Sequence, residues 1–158
     1  MLGRKEMANY QFLFVGIEND TIKQRAYVSL EYYIDKATFY KSAWNILSFL
    51  GIVLPAIATV LTCSAEAAAE NIAKVTALTS IVSGSLALFK CADKKNAYRN
   101  SAENLKGELS EYLSETGRYQ NKSADEKDQL LSKSLEQIIK KGYSKIESLE
   151  SNTKNVTK

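Results

Sequence analysis

The sequence predicts an all-α, oligomeric membrane protein built on a two-transmembrane helical hairpin with long cytoplasmic helical extensions. Three observations predict it. A stretch of 24 residues, 42–65, carries no charge, and a second uncharged stretch of 15 follows at 75–89. Outside them, apolar residues recur at three- and four-residue spacing, the signature of helices with one apolar face. The 158-residue chain as a whole is 45% hydrophobic and 25% charged, like a soluble domain, so its hydrophobicity is informative only locally.

Residues 1–21 read as an N-terminal arm. Its first residues are basic but no long apolar core with a cleavage site follows, so a signal peptide is not expected. The segment YQFLFVGI, Tyr10 through Ile17, fits neither a span nor a clear helix; a strand, a packed arm and a gate all stay open. A helix then starts at an Asn19/Asp20 cap and carries Ile22, Ala26, Leu30, Tyr33, Ala37, Tyr40 and Trp44 on one stripe that runs into the first span. Tyr32, Tyr33, Phe39, Tyr40 and Trp44 cluster just ahead of the apolar run. An interfacial aromatic belt belongs there, with a tyrosine-rich packing face as the alternative.

The first span, at about residues 42–63, is long enough to cross a hydrocarbon core of ~30 Å at ~1.5 Å per residue. Pro55 removes the hydrogen bond to the Gly51 carbonyl at a cost of ~3 kcal/mol, so Gly51 and Pro55 mark a kink that a bilayer helix tolerates. The second uncharged run covers only ~22 Å. Extended back to about residue 72, with Lys74 snorkelling to the interface, it reaches spanning length. The link between the spans, residues 64–71, is short and alanine-rich. Lys36 and Lys41 precede the first span and Lys90, Lys94, Lys95 and Arg99 follow the second, while the link carries Glu66 and Glu70. The positive-inside rule therefore puts both termini in the cytoplasm.

Beyond the second span, Tyr98, Ala102, Leu105, Leu109 and Leu113 form another stripe that ends near Gly117. A C-terminal amphipathic helix, residues 120–150, opens with a Ser123/Glu126 capping box and presents Leu131, Leu135, Ile138, Ile146 and Leu149. Residues 151–158 are polar and expected to be disordered.

The chain has no histidine and two cysteines. That removes the usual neutral-pH base and the commonest nitrogen metal ligand. Cys63 and Cys91 fall at opposite ends of the hairpin and cannot bond within one chain. No metal, cofactor or enzymatic constellation is expected.

On a helical wheel the second span puts Thr76, Ala77, Thr79, Ser80, Ser83, Gly84 and Ala87 on one half and Val75, Leu78, Ile81, Val82, Leu86, Leu88 and Phe89 on the other, with Ser85 alone out of place. The first repeats this more weakly, with Asn45, Ser48, Thr59 and Thr62 beside Pro55. Two readings stand. The hydroxyl face lines a water path shared by several copies, or its small residues let helices pack closely with no pore. The basic group Lys90, Lys94, Lys95 and Arg99 is read mainly as a topology signal against anionic lipid, with an anionic ligand as the second reading.

The flanking motifs resemble the SLATT family, two-transmembrane effectors of bacterial defence. The matching stretches are RAYVSLEYYIDKATFYKSAW, residues 25–44, and AYRNSAENLKGELSEYLSETGRY, residues 97–119, so a SLATT-like core would occupy residues 22–119. The resemblance implies a homo-oligomeric ion channel, a tetramer as the working number, in the bacterial inner membrane. It further implies control by a nucleotide or oligonucleotide from a partner nucleotidyltransferase, as in Hailong-type systems. Opening would depolarise the membrane during phage infection and cause growth arrest or death. A non-conducting membrane-anchored scaffold is the alternative.

Overall fold

A computed structural model describes residues 6–63 and 69–154. Four long helices carry the fold: α1 (Asp20–Cys63), α2 (Ala69–Phe89), α3 (Cys91–Leu113) and α4 (Ala124–Lys154). Two 3-10 turns, Gln11–Phe14 and Gly117–Tyr119, complete it, and no strand occurs among the described residues.

The predicted start of α1 is the observed one. Asn19 Oδ1 accepts the backbone N–H groups of Thr21 and Ile22 at 3.1 and 3.3 Å, satisfying two of the donors that a helix leaves free at its first turn. From there α1 runs unbroken for 44 residues, through Gly51 and Pro55. Its first half belongs to a polar helix bundle and its second half to an apolar hairpin with α2. The link predicted at residues 64–71 lies mostly outside the described residues; α2 is helical from Ala69.

In the bundle, α1 contributes Ala26, Leu30, Tyr33, Ile34 and Ala37, α3 contributes Ala102, Leu105 and Leu109, and α4 contributes Leu131, Leu135 and Ile146. These follow the predicted stripes, with Ile34 added and Leu113 left 39% exposed, and the three amphipathic helices satisfy one another. The helices α3 and α4 are antiparallel: Tyr112 donates to Asp128 at one end (2.7 Å), and Lys94 meets Glu150 at the other (3.2 Å). The capping box of α4 forms as expected, with the Ser123 N–H donating to Glu126 Oε2 at 3.1 Å and the Glu126 N–H to Ser123 Oγ at 3.4 Å. Disorder was expected from residue 151, but α4 continues to Lys154; residues 155–158 lie outside the described residues.

The aromatic cluster splits. Tyr33 is buried, Tyr32 and Tyr98 pack on it and on each other, and the Tyr40 ring stacks on that of Tyr98 at 5.6 Å. Only Phe39, 64% exposed, keeps the outward position that a belt requires. Tyrosines at helical spacing serve the core here because partner helices arrive from α3 and α4. The segment at residues 10–17 is a packed arm: its single 3-10 turn buries Leu13 and Phe14, and Ile17 and Met7 join them in the core.

A buried polar network closes the α3–α4 turn. Gly117 adopts φ +57, a left-handed conformation that disfavours other residues. It places Arg118 and Tyr119 back over α3, where the Tyr119 hydroxyl and the Arg118 guanidinium (2.7 Å) donate to the two oxygens of buried Glu108. Arg118 also donates to Ser134 on α4 at 2.8 Å. Each end of the carboxylate is therefore paired, which a buried charge requires.

Two predictions concern the bundle. Burial, reinforced by Tyr143 and Tyr32, pushes the Tyr33 hydroxyl from 10.0 up to about 12, and burial also raises Tyr98, Tyr112 and Tyr119. The stability tied to the neutral Tyr33 is complete below pH 10 and lost as pH rises toward 12. Tyrosinate absorbance and helical circular dichroism should therefore change together in that range. Second, a Cβ at Gly142 would stand 2.7 Å from the Tyr33 hydroxyl and 2.9 Å from Ser101 Oγ, whereas one at Gly107 meets nothing within 4 Å. Gly107→Ala should stabilise by about 1 kcal/mol. Gly142→Ala should destabilise, since overpacking of ~1–3 kcal/mol outweighs that gain. Melting temperatures of the two variants check the sign of each.

Candidate functional site: the apolar hairpin and its hydroxyl face

Helices α1 and α2 are both long and apolar enough to cross a membrane. Their most apolar stretches are also among the least covered parts of the chain: none of that stretch is buried in α1 and 6% in α2. A core helix of a soluble protein has the opposite pattern. Among the described residues, eight large apolar side chains, Ile52 at 73% and Val60 at 70% exposed among them, stand out from the hairpin. Covering such groups is worth ~1.5–3 kcal/mol each. The sum rivals the ~5–15 kcal/mol stability of a whole domain, which is the gain open to a membrane or a partner surface that covers the hairpin.

The hairpin seam follows the heptad spacing of antiparallel helices. On α1 the half-buried positions include Ala43, Leu47, Leu50, Leu54, Ala58 and Leu61; on α2 they include Ile72, Val75, Thr79 and Leu86, with Val82 buried. Gly51 faces Leu86, whose Cδ1 would lie 3.7 Å from an added Cβ.

That seam divides the predicted hydroxyl face. Thr76, Ser80 and Ser83 remain on the open side of α2, and Asn45, Thr59 and Thr62 on the open side of α1. Thr79 and Ser48 instead lie half-buried, because they fall on the side turned to the neighbouring helix, which a wheel drawn on one helix does not reveal. The side chain of Ala87 lies outside the described residues. Hydroxyls on both helices donate to their own helix: Thr76 to Ile72 O (2.9 Å), Thr79 to Val75 O (2.9 Å), Ser80 to Thr76 O (3.1 Å) and Thr59 to Pro55 O (2.9 Å). Donors satisfied in this way tolerate an apolar neighbour while the oxygen lone pairs stay available.

Residues 28–127 match a family model described as a protein of unknown function, DUF4231. The chain belongs to that family. No curated protein and no solved structure matches it. The DUF4231 match takes in the hairpin, all of α3 and the Gly117–Tyr119 turn, and ends in the first turn of α4.

The basic group of this DUF4231 chain is partly spent inside the fold. Lys94 pairs with Glu150 at 3.2 Å and lies 5.6 Å from the centre of the Tyr40 ring. Arg99 pairs with Glu6 and, at 2.9 Å, with Glu103. These acids lie far from the group in sequence or on its own helix face, so charge counting along the chain overstates the free positive charge. Lys90 and Lys95 keep partial exposure, and Lys90 sits at the α2–α3 junction with φ 44 and ψ 42.

Two features were not singled out from sequence: the Glu108–Arg118–Tyr119–Ser134 network and an amide stripe, Asn96, Asn100 and Asn104, facing a groove between α3 and α4. The four-residue spacing of three asparagines was the available signal.

A left-handed lysine costs ~1–2 kcal/mol that glycine avoids. Lys90→Gly should therefore raise the stability of the junction, or at least cost nothing, and a fall in melting temperature would show that the Lys90 side chain has a stabilising role of its own.

Proposed function

We propose that the chain is one subunit of a homo-oligomeric membrane pore, both of its termini cytoplasmic, acting as a SLATT-type effector of bacterial antiphage defence. The observation that carries the reading is the open hydroxyl face of α2. Thr76, Ser80 and Ser83 are left out of the hairpin seam on a helix whose exposed residues beyond Lys74 are otherwise apolar, Ala77, Leu78, Ile81 and Phe89. Two helices cannot enclose water, so this face lines a path only when several hairpins surround an axis, a tetramer being the working number. The excess of Lys36, Lys41, Lys90 and Lys95 on the bundle side supports the orientation. A path lined by Ser and Thr has no charged ring and would discriminate weakly by charge. The resemblance of residues 25–44 and 97–119 to SLATT proteins supports the inner-membrane location, depolarisation as the outcome, and control by a nucleotide or oligonucleotide from a partner enzyme.

The scaffold reading draws on the satisfied hydroxyl donors, since Thr76, Thr79 and Ser80 need no water. Ion flux through liposomes containing the purified full-length chain separates the two. Flux that Ser80→Leu or Ser83→Leu reduces at least tenfold, about 1.4 kcal/mol on the permeation barrier, is the expected result. Flux unchanged in both variants rules out this face as the pore lining, and an oligomer without flux favours the scaffold.

A further inference from the structure

The hairpin seam orders the residues beside it. On α1 the seam residues Leu54, Ala58 and Leu61 are each followed by an exposed residue, Pro55, Thr59 and Thr62. On α2 the seam residues Val75, Thr79 and Val82 are each followed by an exposed hydroxyl, Thr76, Ser80 and Ser83. With Lys74 aside, the exposed residues one step before the seam are apolar: Ile57 and Val60 on α1, Leu78 and Ile81 on α2. One step is ~100° of helix rotation. Seen from one end of the hairpin, α1 turns one way and antiparallel α2 the other, so an equal step from facing seams carries both helices to the same side. The hairpin therefore has one polar face, built by both helices, and one apolar face.

The polar face presents acceptors. Thr59, Thr62, Thr76 and Ser80 each donate to a carbonyl of their own helix, Thr62 to Thr59 O at 2.8 Å, so their protons turn inward and their lone pairs outward. Two groups in the middle of the face differ. Pro55 has no N–H, so the Gly51 carbonyl lacks the donor that a helix supplies at other turns. Ser83 is exposed and makes no hydrogen bond among the described residues. Gly51 packs opposite Leu86, and in an antiparallel pair this puts Ser83, three residues before Leu86, level with Leu54 and Pro55. The freed carbonyl and the free hydroxyl thus share one face and one height, deep in the apolar stretch. Such groups persist at membrane depth where water or another polar group reaches them.

We infer that the Gly51 carbonyl and the Ser83 hydroxyl of each copy form a ring of oxygens that binds a partly dehydrated monovalent cation, so that the pore prefers cations to anions. This rests on the pore reading above. Carbonyl and hydroxyl oxygens replace the hydration shell of potassium or sodium and offer nothing comparable to chloride. A divalent ion would call for carboxylates, and no charged residue lies within 42–65 or 75–89. The hydroxyl lining discriminates weakly by itself; the carbonyls supply the sign. The opposing charge is Lys41, exposed about five helical turns before Thr59 and hence on the same side, at the cytoplasmic mouth.

Reversal potentials of the full-length chain in planar bilayers, under a potassium chloride gradient, read the preference directly. A potassium permeability several-fold above that of chloride is expected. Pro55→Ala supplies the missing N–H to Gly51 and Ser83→Ala removes the hydroxyl; each should bring the ratio toward unity, while Ser83→Thr, which keeps the hydroxyl, should preserve it. Where Pro55→Ala carries no current, Ser83→Ala decides. A current that prefers chloride overturns the inference and leaves the pore standing. So does a cation preference that survives both alanine variants, that falls equally in Leu78→Ala on the apolar face, or that changes only with Lys41→Ala at the mouth. A chain that carries no current under any gradient overturns the pore reading, and the oxygen ring with it.

Discussion

Helix α1 is continuous over 44 residues, ~66 Å of helix with Pro55 inside it, and the other three helices are placed against it. Its first half presents Ala26, Leu30, Tyr33 and Ala37 to α3 and α4; its second half presents Leu47, Leu54 and Leu61 to α2. The same spacing continues across the boundary while the chemistry on the opposite face changes from polar to apolar. One helix thus joins two bodies that need different surroundings, and neither can be rearranged without the other.

The two bodies solve the problem of buried polar groups differently. In the bundle, Glu108 is paired by Tyr119 and Arg118, and Lys106, 8% exposed, lies 3.7 Å from the centre of the Tyr10 ring and 3.2 Å from Glu103. These are long-range solutions that tie the N-terminal arm and the α3–α4 turn to α3. In the hairpin, hydroxyls return to the carbonyl one turn earlier, as Thr76 does to Ile72. Local satisfaction leaves the hairpin's outer surface chemically quiet, and its association with other surfaces is then set by shape and by lone pairs.

Much of this was legible in sequence because the signals were local. The uncharged stretch, the Asn19 cap and the Ser123/Glu126 box need only neighbouring residues; the stretch is helical through Cys63, and the cap and the box formed as read. What required the fold was anything that depends on a partner helix. Thr79 entered the seam because α1 packs on that side; Lys94 lost its freedom to Glu150, fifty-six positions away; Tyr33 left the expected belt because α3 and α4 enclose it. Residues 10–17 could not be assigned beforehand, since a short apolar segment takes its conformation from the surface it covers.

The hairpin and the bundle are joined twice, and unequally. Through α1 the connection is a continuous shaft; through Lys90, at φ 44, the chain turns out of helix for one residue between Phe89 and Cys91. A body attached by one shaft and one pivot has a single easy motion, a swing about the shaft with the pivot opening or closing. Displacement of α3 is therefore passed through Lys90 to the foot of α2, the helix that carries Thr76, Ser80 and Ser83, and through the shared core to the first half of α1.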